Sequence, residues 1–431
     1  MTKPSQRIDS STRVSNAVSR LAGRPVVRAL RDACAARGLE AWIVGGALRD
    51  AALGLPAREI HEIDTAVQGD PEPLARDLEA AGHGRAVFVS RDRPGPRVFR
   101  VAAGTSWLDL ASIEGASIRE DLQRRDFTVN ALALPVSRGP LVDPFGGAAD
   151  LARRALRGIR ERNFHDDPLR SLRAARLLAT RELEPDSRLL RWAKGAAAGL
   201  ERVAPERASA ELAKLLAAPR AAPALAWAAS AWILAPALGA PLSRSGAGAV
   251  ARFSKRLDGT AIRALPPDRR RRIRLAAIAS RLGMDGLATR RWLSGRRWTR
   301  QEAHDAAAMV DLAHRAAAAP RADAAWRWVL DAGALAGDAA LLAGLLAPRS
   351  RSATRRLARL ARAPRRSVRV GGEDVMAWTG LPAGPRVGEL LAALALEAAA
   401  GRVRGRRDAQ AWLRTATGDT GRAHEKRRDT G

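Results

Sequence analysis

The sequence predicts an α+β protein, with an N-terminal mixed-sheet head followed by helices to the C-terminal end. Three observations carry this. Between about residues 23 and 158, short apolar runs bounded by turn residues alternate with stretches of helical periodicity. Beyond 159 strand signals nearly vanish. Ala, Leu and Arg dominate, which favours helix over most of the length.

Residues 1–22 are polar, and a disordered tail is expected there. Val26–Arg37 reads as helix, Ala41–Val44 as a short strand and Ala47–Leu53 as helix. Ile60–Val67 is a strand and Pro73–Ala81 a helix; Ala86–Ser90, Val98–Ala102 and Trp107–Ile113 are strands. Phe127–Leu134 follows, before the turn Asp143-Pro144-Phe145-Gly146-Gly147. Asp167–Thr180, Asp186–Ala198 and Pro205–Leu216 have helical spacing, and Pro and Gly near 236–248, 265–268, 320 and 348–350 separate further helices. The stretch 351–369 is Arg-rich, and 402–431 ends in a charged tail expected to fray. No fixed-period repeat is evident. At 431 residues, more than one compact core is expected.

Lys and Arg number 74 against 45 Asp and Glu, a formal charge of +29. Such an excess points to a polyanionic partner, nucleic acid before membrane. Only five of the basic residues are lysine, and Ala is inflated alongside Arg, a bias that GC-rich coding would also produce. Cys34 is the single cysteine, which excludes an intramolecular disulfide and a cysteine-based zinc site and leaves a buried thiol as the expectation. The N-terminus lacks the apolar core of a signal peptide. No uninterrupted apolar run is expected to span a bilayer; Ala221–Leu238 comes nearest but contains Pro223 and Pro236. The expected address is the cytoplasm, with no membrane and no protein partner implied.

The chemistry begins at Val44-Gly45-Gly46-Ala47-Leu48-Arg49-Asp50, followed by Glu62-Ile63-Asp64. Glycines without Cβ let backbone N–H groups approach a triphosphate, and the helix that opens there adds the positive end of its dipole. Residues i and i+2 of a strand share a face, so Glu62 and Asp64 can hold a divalent metal together. Oxygen ligands favour Mg²⁺, and the combination suggests nucleotidyl transfer by a two-metal mechanism. Arg49, one turn into the helix, can reach a triphosphate; the alternative for Arg49 and Asp50 is an exposed helix pair.

Two further constellations follow. In Glu120–Leu132, charges run straight into an apolar stretch, as at the mouth of a pocket. Arg125 is a candidate phosphate contact there. Asp126 and Asn130 could touch the ribose or orient Arg125, or Asp126 could cap a helix. In His165–Arg176, Arg170, Arg173 and Arg176 recur every three residues and share one helix face. Asp167 lies three before Arg170. A carboxylate accepting from an exocyclic amine, and an Arg donating to the adjacent ring acceptor, would select cytosine and adenine over uracil and guanine. The competing role for Asp167 is an N-cap ahead of Pro168.

These motifs resemble those of class II tRNA nucleotidyltransferases and bacterial poly(A) polymerases, a branch of the polymerase-β-like nucleotidyltransferases. The matches run in the family's order: Gly45–Asp50 with Glu62–Asp64, Arg124–Asn130, Asp166–Arg176, and Glu201–Glu206 with Glu211–Leu216. Val370–Val375 through Gly384–Gly388 resembles the family's tail, and the resemblance is weak between about 225 and 365. It implies a nucleotidyltransferase head at 23–158, a helical neck at 159–220, a body at 221–350 and a tRNA-binding tail at 351–431. It implies Mg²⁺, CTP and ATP as substrates, and a tRNA 3′ end as acceptor.

Carried over by motif, Glu62 and Asp64 would bind metal, and Gly45, Gly46 and Arg49 the triphosphate. Arg125, Asp126 and Asn130 would contact the nucleotide, Asp167 and Arg170 would read the base, and Arg173 and Arg176 would support phosphate or base contacts. Asp109 could supply a third carboxylate that helps deprotonate the primer hydroxyl, or be a buried structural residue.

The sequence departs from the family's pattern twice. Glu62 stands where the first metal carboxylate is usually Asp, which bears on whether the chain is an active enzyme or a catalytically dead RNA-binding protein. The family's long flexible loop, implicated in switching from C to A addition, is shortened between Asp109 and Arg124, which resembles enzymes that add only the two cytidines. A poly(A) polymerase is the nearest alternative activity. His304-Asp305 resembles a metal phosphohydrolase signature, but the six histidines form no cluster and that activity is rejected. Trp292 and Trp298 lie among Arg291, Arg296, Arg297 and Arg300, where indoles could stack on bases or pack helices.

Overall fold

The computed structural model describes residues 10–89, 97–239, 244–316, 322–347, 351–363 and 367–417. The chain divides into two compact units, Met1–Asp258 and Gly259–Gly431. The division falls inside the segment 221–350 that was expected to be one body.

The first unit opens with a helix where a disordered tail was expected. In α1 (Ser10–Ala22), Val14, Val18 and Leu21 form a buried stripe at helical spacing. Three apolar residues in a polar stretch suffice, because they dock on α3 (Gly46–Ala52) and α6 (Gly147–Ala152). Residues 1–9 lie outside the described residues. α2 (Pro25–Arg37) starts on a proline at its first turn and ends at Gly38 in the left-handed region. It buries Val27, Leu30 and Cys34 and packs on α4 (Glu72–Ala80). Burial pushes the Cys34 thiol up to about 11.

Six strands form one sheet: β1 (Ala41–Val44), β2 (Glu62–Val67), β3 (Arg85–Phe88), β4 (Val98–Ala103), β5 (Ser106–Ser112) and β6 (Ala133–Pro135), in the order β3-β4-β5-β2-β1-β6. Only β2 and β5 pair in parallel; their register sets Glu62 beside Trp107 and Asp64 beside Asp109. Val44 pairs with Asp64 across β1 and β2, so the glycine turn after β1 opens next to the acidic strand. Ile43, Ile63, Leu108 and Leu110 are buried in the core.

Phe127–Leu134 is not one element. It divides into a 3₁₀ turn at Thr128–Asn130 and the start of β6, because Asp126 and Asn130 bond each other and draw the backbone into a turn. α5 (Ile118–Gln123) precedes it, capped by Ser117 accepting from the Glu120 N–H.

Helices take over from there. α7 (Glu161–Asp166) and α8 (Leu169–Arg181) are followed by α9 (Ser187–Ala196), α10 (Pro205–Ala217), α11 (Ala222–Ser230), α12 (Leu234–Leu238) and α13 (Arg244–Leu257). α8 buries Leu172, Ala175, Leu177 and Leu178 and packs on α10 and α11. Beyond 159 the strand structure described is β8 (Glu184–Pro185), which pairs in parallel with β7 (Ala155–Leu156).

The second unit contains α14 (Thr260–Arg263), α15 (Pro267–Arg281), α16 (Gly286–Gly295), α17 (Arg300–Ala316), α18 (Ala322–Ala332), α19 (Ala336–Leu346), α20 (Arg351–Arg362), α21 (Gly372–Thr379), α22 (Pro385–Ala399) and α23 (Arg406–Ala416). Arg272 of α15 bridges Asp305 of α17 at 2.8 Å and Asp338 of α19 at 2.9 Å. Val375, Val387, Leu390, Leu394, Val403, Ala409 and Leu413 form a core under the last three helices. The frayed end expected after 417 lies outside the described residues.

Asp323–Leu346 is long and apolar enough to cross a membrane by length and composition, although Arg327, Asp331 and Asp338 interrupt its apolar run. Here it forms α18 and α19 with a 3₁₀ turn between them, and buried Asp338 is neutralised by Arg269 and Arg272.

Candidate active site at the glycine turn and acidic strands

The first unit holds a cleft of about 770 Å³, lined by Gly45, Gly46 and Arg49 from the glycine turn and α3, Glu62 and Asp64 from β2, and Trp107 from β5. Arg124, Arg125, Asp126 and Asn130 line the wall after α5, and Arg170, Arg173, Arg176 and Arg181 of α8 face them. Eleven of the thirteen residues singled out in the sequence meet here. Asp109 and Asp167 are not on the lining; Asp109 sits with Glu62 and Asp64, and Asp167 pairs with Arg207 of α10.

Glu62, Asp64 and Asp109 each offer a carboxylate oxygen within 4.8 Å of the others, the only such group of potential metal ligands among the described residues. His304, by contrast, bonds Arg290 through Nδ1 at 3.1 Å, and Asp305 pairs with Arg272. Burial, and then the neighbouring Glu62 charge, push the Asp64 carboxyl up to about 6, against the pull of Arg125. A set of crowded hard oxygen donors suits a divalent cation, which would relieve that repulsion. Asp109 is not free to act alone. Arg100 of β4 grips both its oxygens, Nε at 2.8 Å and Nη2 at 2.7 Å.

Gly45 has φ of +73°, and a Cβ there would lie 3.1 Å from Arg125 Nη1 and 3.5 Å from Asp64 Oδ2. The positive φ is what calls for glycine, and a Cβ would in addition press on the Arg125 guanidinium. Arg125 is oriented by Asp121, one turn earlier, at 2.9 Å rather than by Asp126 or Asn130. Asn163 reinforces this turn, donating to the carbonyls of Gln123 and Arg125. Neither residue was singled out in the sequence; the i,i+4 spacing of Asp121 and Arg125 was the available signal.

Arg49 and Asp50 are not an exposed pair. Arg49 is 5% exposed and donates to Asn130 Oδ1 at 2.7 Å and to Asp50 at 2.8 Å. Asn130 in turn donates to Asp126 Oδ1 at 2.9 Å, and Arg173 pairs with the other oxygen at 3.1 Å. Asp126 accepts from the Phe127 N–H but caps no helix. Burial pushes its carboxyl up, yet Arg173, Asn130 and Arg170 outweigh this and hold it below the ordinary range. Arg176 pairs with Glu211 of α10 at 2.6 Å.

Asp167 makes no side-chain cap on α8. Its Oδ2 pairs with Arg207 at 3.1 Å, and its buried Oδ1 has no hydrogen-bond partner among the described residues. A buried acceptor without a donor is costly, and a ligand amine would satisfy it.

Residues 41–157 match the family model for the poly A polymerase head domain. Over 182 residues the chain is 37% identical to the CC-adding tRNA nucleotidyltransferase of Shouchella clausii, a match covering 42% of this chain and 45% of that one. It is 39% identical over 195 residues to the CC-adding tRNA nucleotidyltransferase of Synechocystis, covering 45% of each chain. The fold extends the likeness much further. The Bacillus stearothermophilus CCA-adding enzyme in complex with CTP superimposes with a TM-score of 0.68 at 25% identity, covering 92% of this chain and 98% of that chain. Residues 41–157 thus match a poly A polymerase head domain, and over nearly its whole length the chain is similar to a CCA-adding enzyme. In sequence, the matches to these nucleotidyltransferases span less than half the length of the curated relatives. The Thermotoga maritima CCA-adding enzyme complexed with tRNA shares the fold, at TM-score 0.70 and 20% identity over 93% of this chain and 98% of that one.

Proposed function

We propose that this chain is a template-independent tRNA 3′-end nucleotidyltransferase that adds cytidines from CTP and leaves the terminal A to another enzyme. The observation that carries the reaction class is the Glu62/Asp64 pair beside the crowded Gly45 turn, with the α8 arginines across the same cleft. Glu62 and Asp64 would hold the divalent cation, with Mg²⁺ the natural choice for oxygen ligands. When bound, it supplies Lewis-acid stabilisation of the phosphate oxygens and favours ionisation of the attacking hydroxyl.

The chain's own residues do the rest. The Gly45–Gly46 turn lets backbone N–H groups approach a triphosphate, and Arg125 and Arg49 add positive charge beside it. Asp167 Oδ1 stands ready to accept from the cytosine amine while Arg170 donates to the ring. Arg173 and Arg176 are held by Asp126 and Glu211, which fixes the recognition helix against the cleft.

Restriction to cytidine is supported by the link between β5 and α5. Only the five residues 113–117 separate these elements, leaving no room for a long switching loop. The names of the Shouchella and Synechocystis relatives favour the same reading. Purified protein should be incubated with radiolabelled CTP or ATP and tRNAs lacking one, two or three terminal nucleotides. Addition of two cytidines followed by arrest is expected. Addition of A would remove the cytidine restriction, and long A-tails on unrelated RNA would establish a poly(A) polymerase instead.

A further inference from the structure

Arg100 of β4 and Trp107 of β5 stand beside the acidic residues. The strand register puts Trp107 next to Glu62, Asp109 next to Asp64, and Arg100 opposite Asp109, all on one face of the sheet. The Arg100 guanidinium lies 4.9 Å from the Trp107 ring centroid while it grips Asp109. Its side chain is 37% exposed, and Nη1 has no partner among the described residues. Trp107 is half-buried and lines the cleft.

Sheet order decides what this shelf faces. In the order β4-β5-β2-β1, Arg100 and Trp107 lie on one side of Glu62 and Asp64, and the Gly45 turn lies on the other. In nucleotidyl transfer the attacking oxygen forms its bond to the α-phosphorus as the bond to pyrophosphate breaks, and the two oxygens lie roughly in line. With the triphosphate at the Gly45 turn, the hydroxyl must arrive from the β4–β5 side.

We propose that Trp107 and Arg100 seat the acceptor strand, the indole stacking on its 3′-terminal base and the guanidinium meeting the adjoining phosphate. This rests on the reading under Proposed function for the direction of approach. The ring supplies an apolar face of the kind single-stranded RNA uses, and Arg100 holds the indole while keeping Nη1 for the phosphate. Both residues are positioning residues.

The test is equilibrium binding at fixed salt of a tRNA ending at its unpaired 3′ nucleotide, and of the same tRNA with that nucleotide removed. The full-length protein and its Trp107→Ala, Trp107→Phe and Arg100→Gln variants are compared. Trimming should weaken wild-type binding about tenfold, as expected for loss of one base stack. Trp107→Ala should bind both tRNAs equally, Trp107→Phe should keep most of the difference, and Arg100→Gln should reduce the salt dependence by about one phosphate contact. Equal sensitivity to trimming in wild type and Trp107→Ala would overturn the proposal. So would a uniform loss of binding and of thermal stability in both Trp107 variants. Absence of nucleotide incorporation by the wild type would refute the enzymatic reading, whereas the trimming comparison reports on the shelf by itself.

Discussion

Arg181, the last residue of α8, holds both carboxylate oxygens of Asp50 on α3, with Nε and Nη2 each at 2.7 Å. Arg49 donates to the same carboxylate at 2.8 Å, so one half-buried acid ties the glycine-turn helix to α8. Burial pushes the Asp50 carboxyl up, but the two guanidiniums outweigh it and hold it below the ordinary range. Its contribution is therefore present above the unfolded pKa and lost as pH falls through the folded one. Thermal unfolding from pH 7 downward should show wild type losing its advantage over Asp50→Asn below about pH 4. A constant difference at every pH would contradict this.

Arg181→Ala leaves Asp50 with one partner instead of two. Because Arg181 is partly exposed, the expected loss is about 1–3 kcal/mol, below the range for a fully buried pair. Urea unfolding at neutral pH measures it.

Asn130→Ala removes the link between Arg49 and Asp126, both nearly inaccessible. Leaving these charged groups short of a partner should cost about 2–3 kcal/mol. A loss below about 0.5 kcal/mol would mean that water replaces the amide.

Asp64→Ala should lower incorporation by about a hundredfold or more while tRNA affinity stays within about twofold. Survival of incorporation would show that the metal is held elsewhere. Asp64→Asn should raise the melting temperature of metal-free protein at pH 7, because it removes a crowded carboxylate held up to about 6.

Gly115, with φ of +111°, sits inside the short link after β5, and a Cβ would lie 2.7 Å from Glu120 Oε2 and 2.8 Å from its Cβ. Gly115→Ala should cost about 1–3 kcal/mol, read by thermal unfolding.

The strands of the head were legible because their apolar runs are short and bounded by Gly and Pro, and Ala41–Val44 matches β1 residue for residue. The helix over 10–22 was missed because its apolar stripe has only three members. The acidic pair and the α8 arginines were legible from spacing alone, since periods of two and three put them on single faces. Partners brought from far away were not. Arg181 meets Asp50 across 131 residues, and Arg100 meets Asp109 through strand register, neither of which a local pattern encodes. At Asp167 the cap is lost to a partner just as remote, because the carboxylate pairs with Arg207, forty residues on.

Helix α8 is anchored to the head twice, by Arg173 on Asp126 and Arg181 on Asp50. Eight residues apart, these anchors lie about 12 Å along the helix axis. Two points of attachment spaced along its axis brace a rod against tilting, which a single one would not. The face of α8 that carries Arg170 is thereby held at one angle to the glycine turn, like a jig set before any work is placed in it.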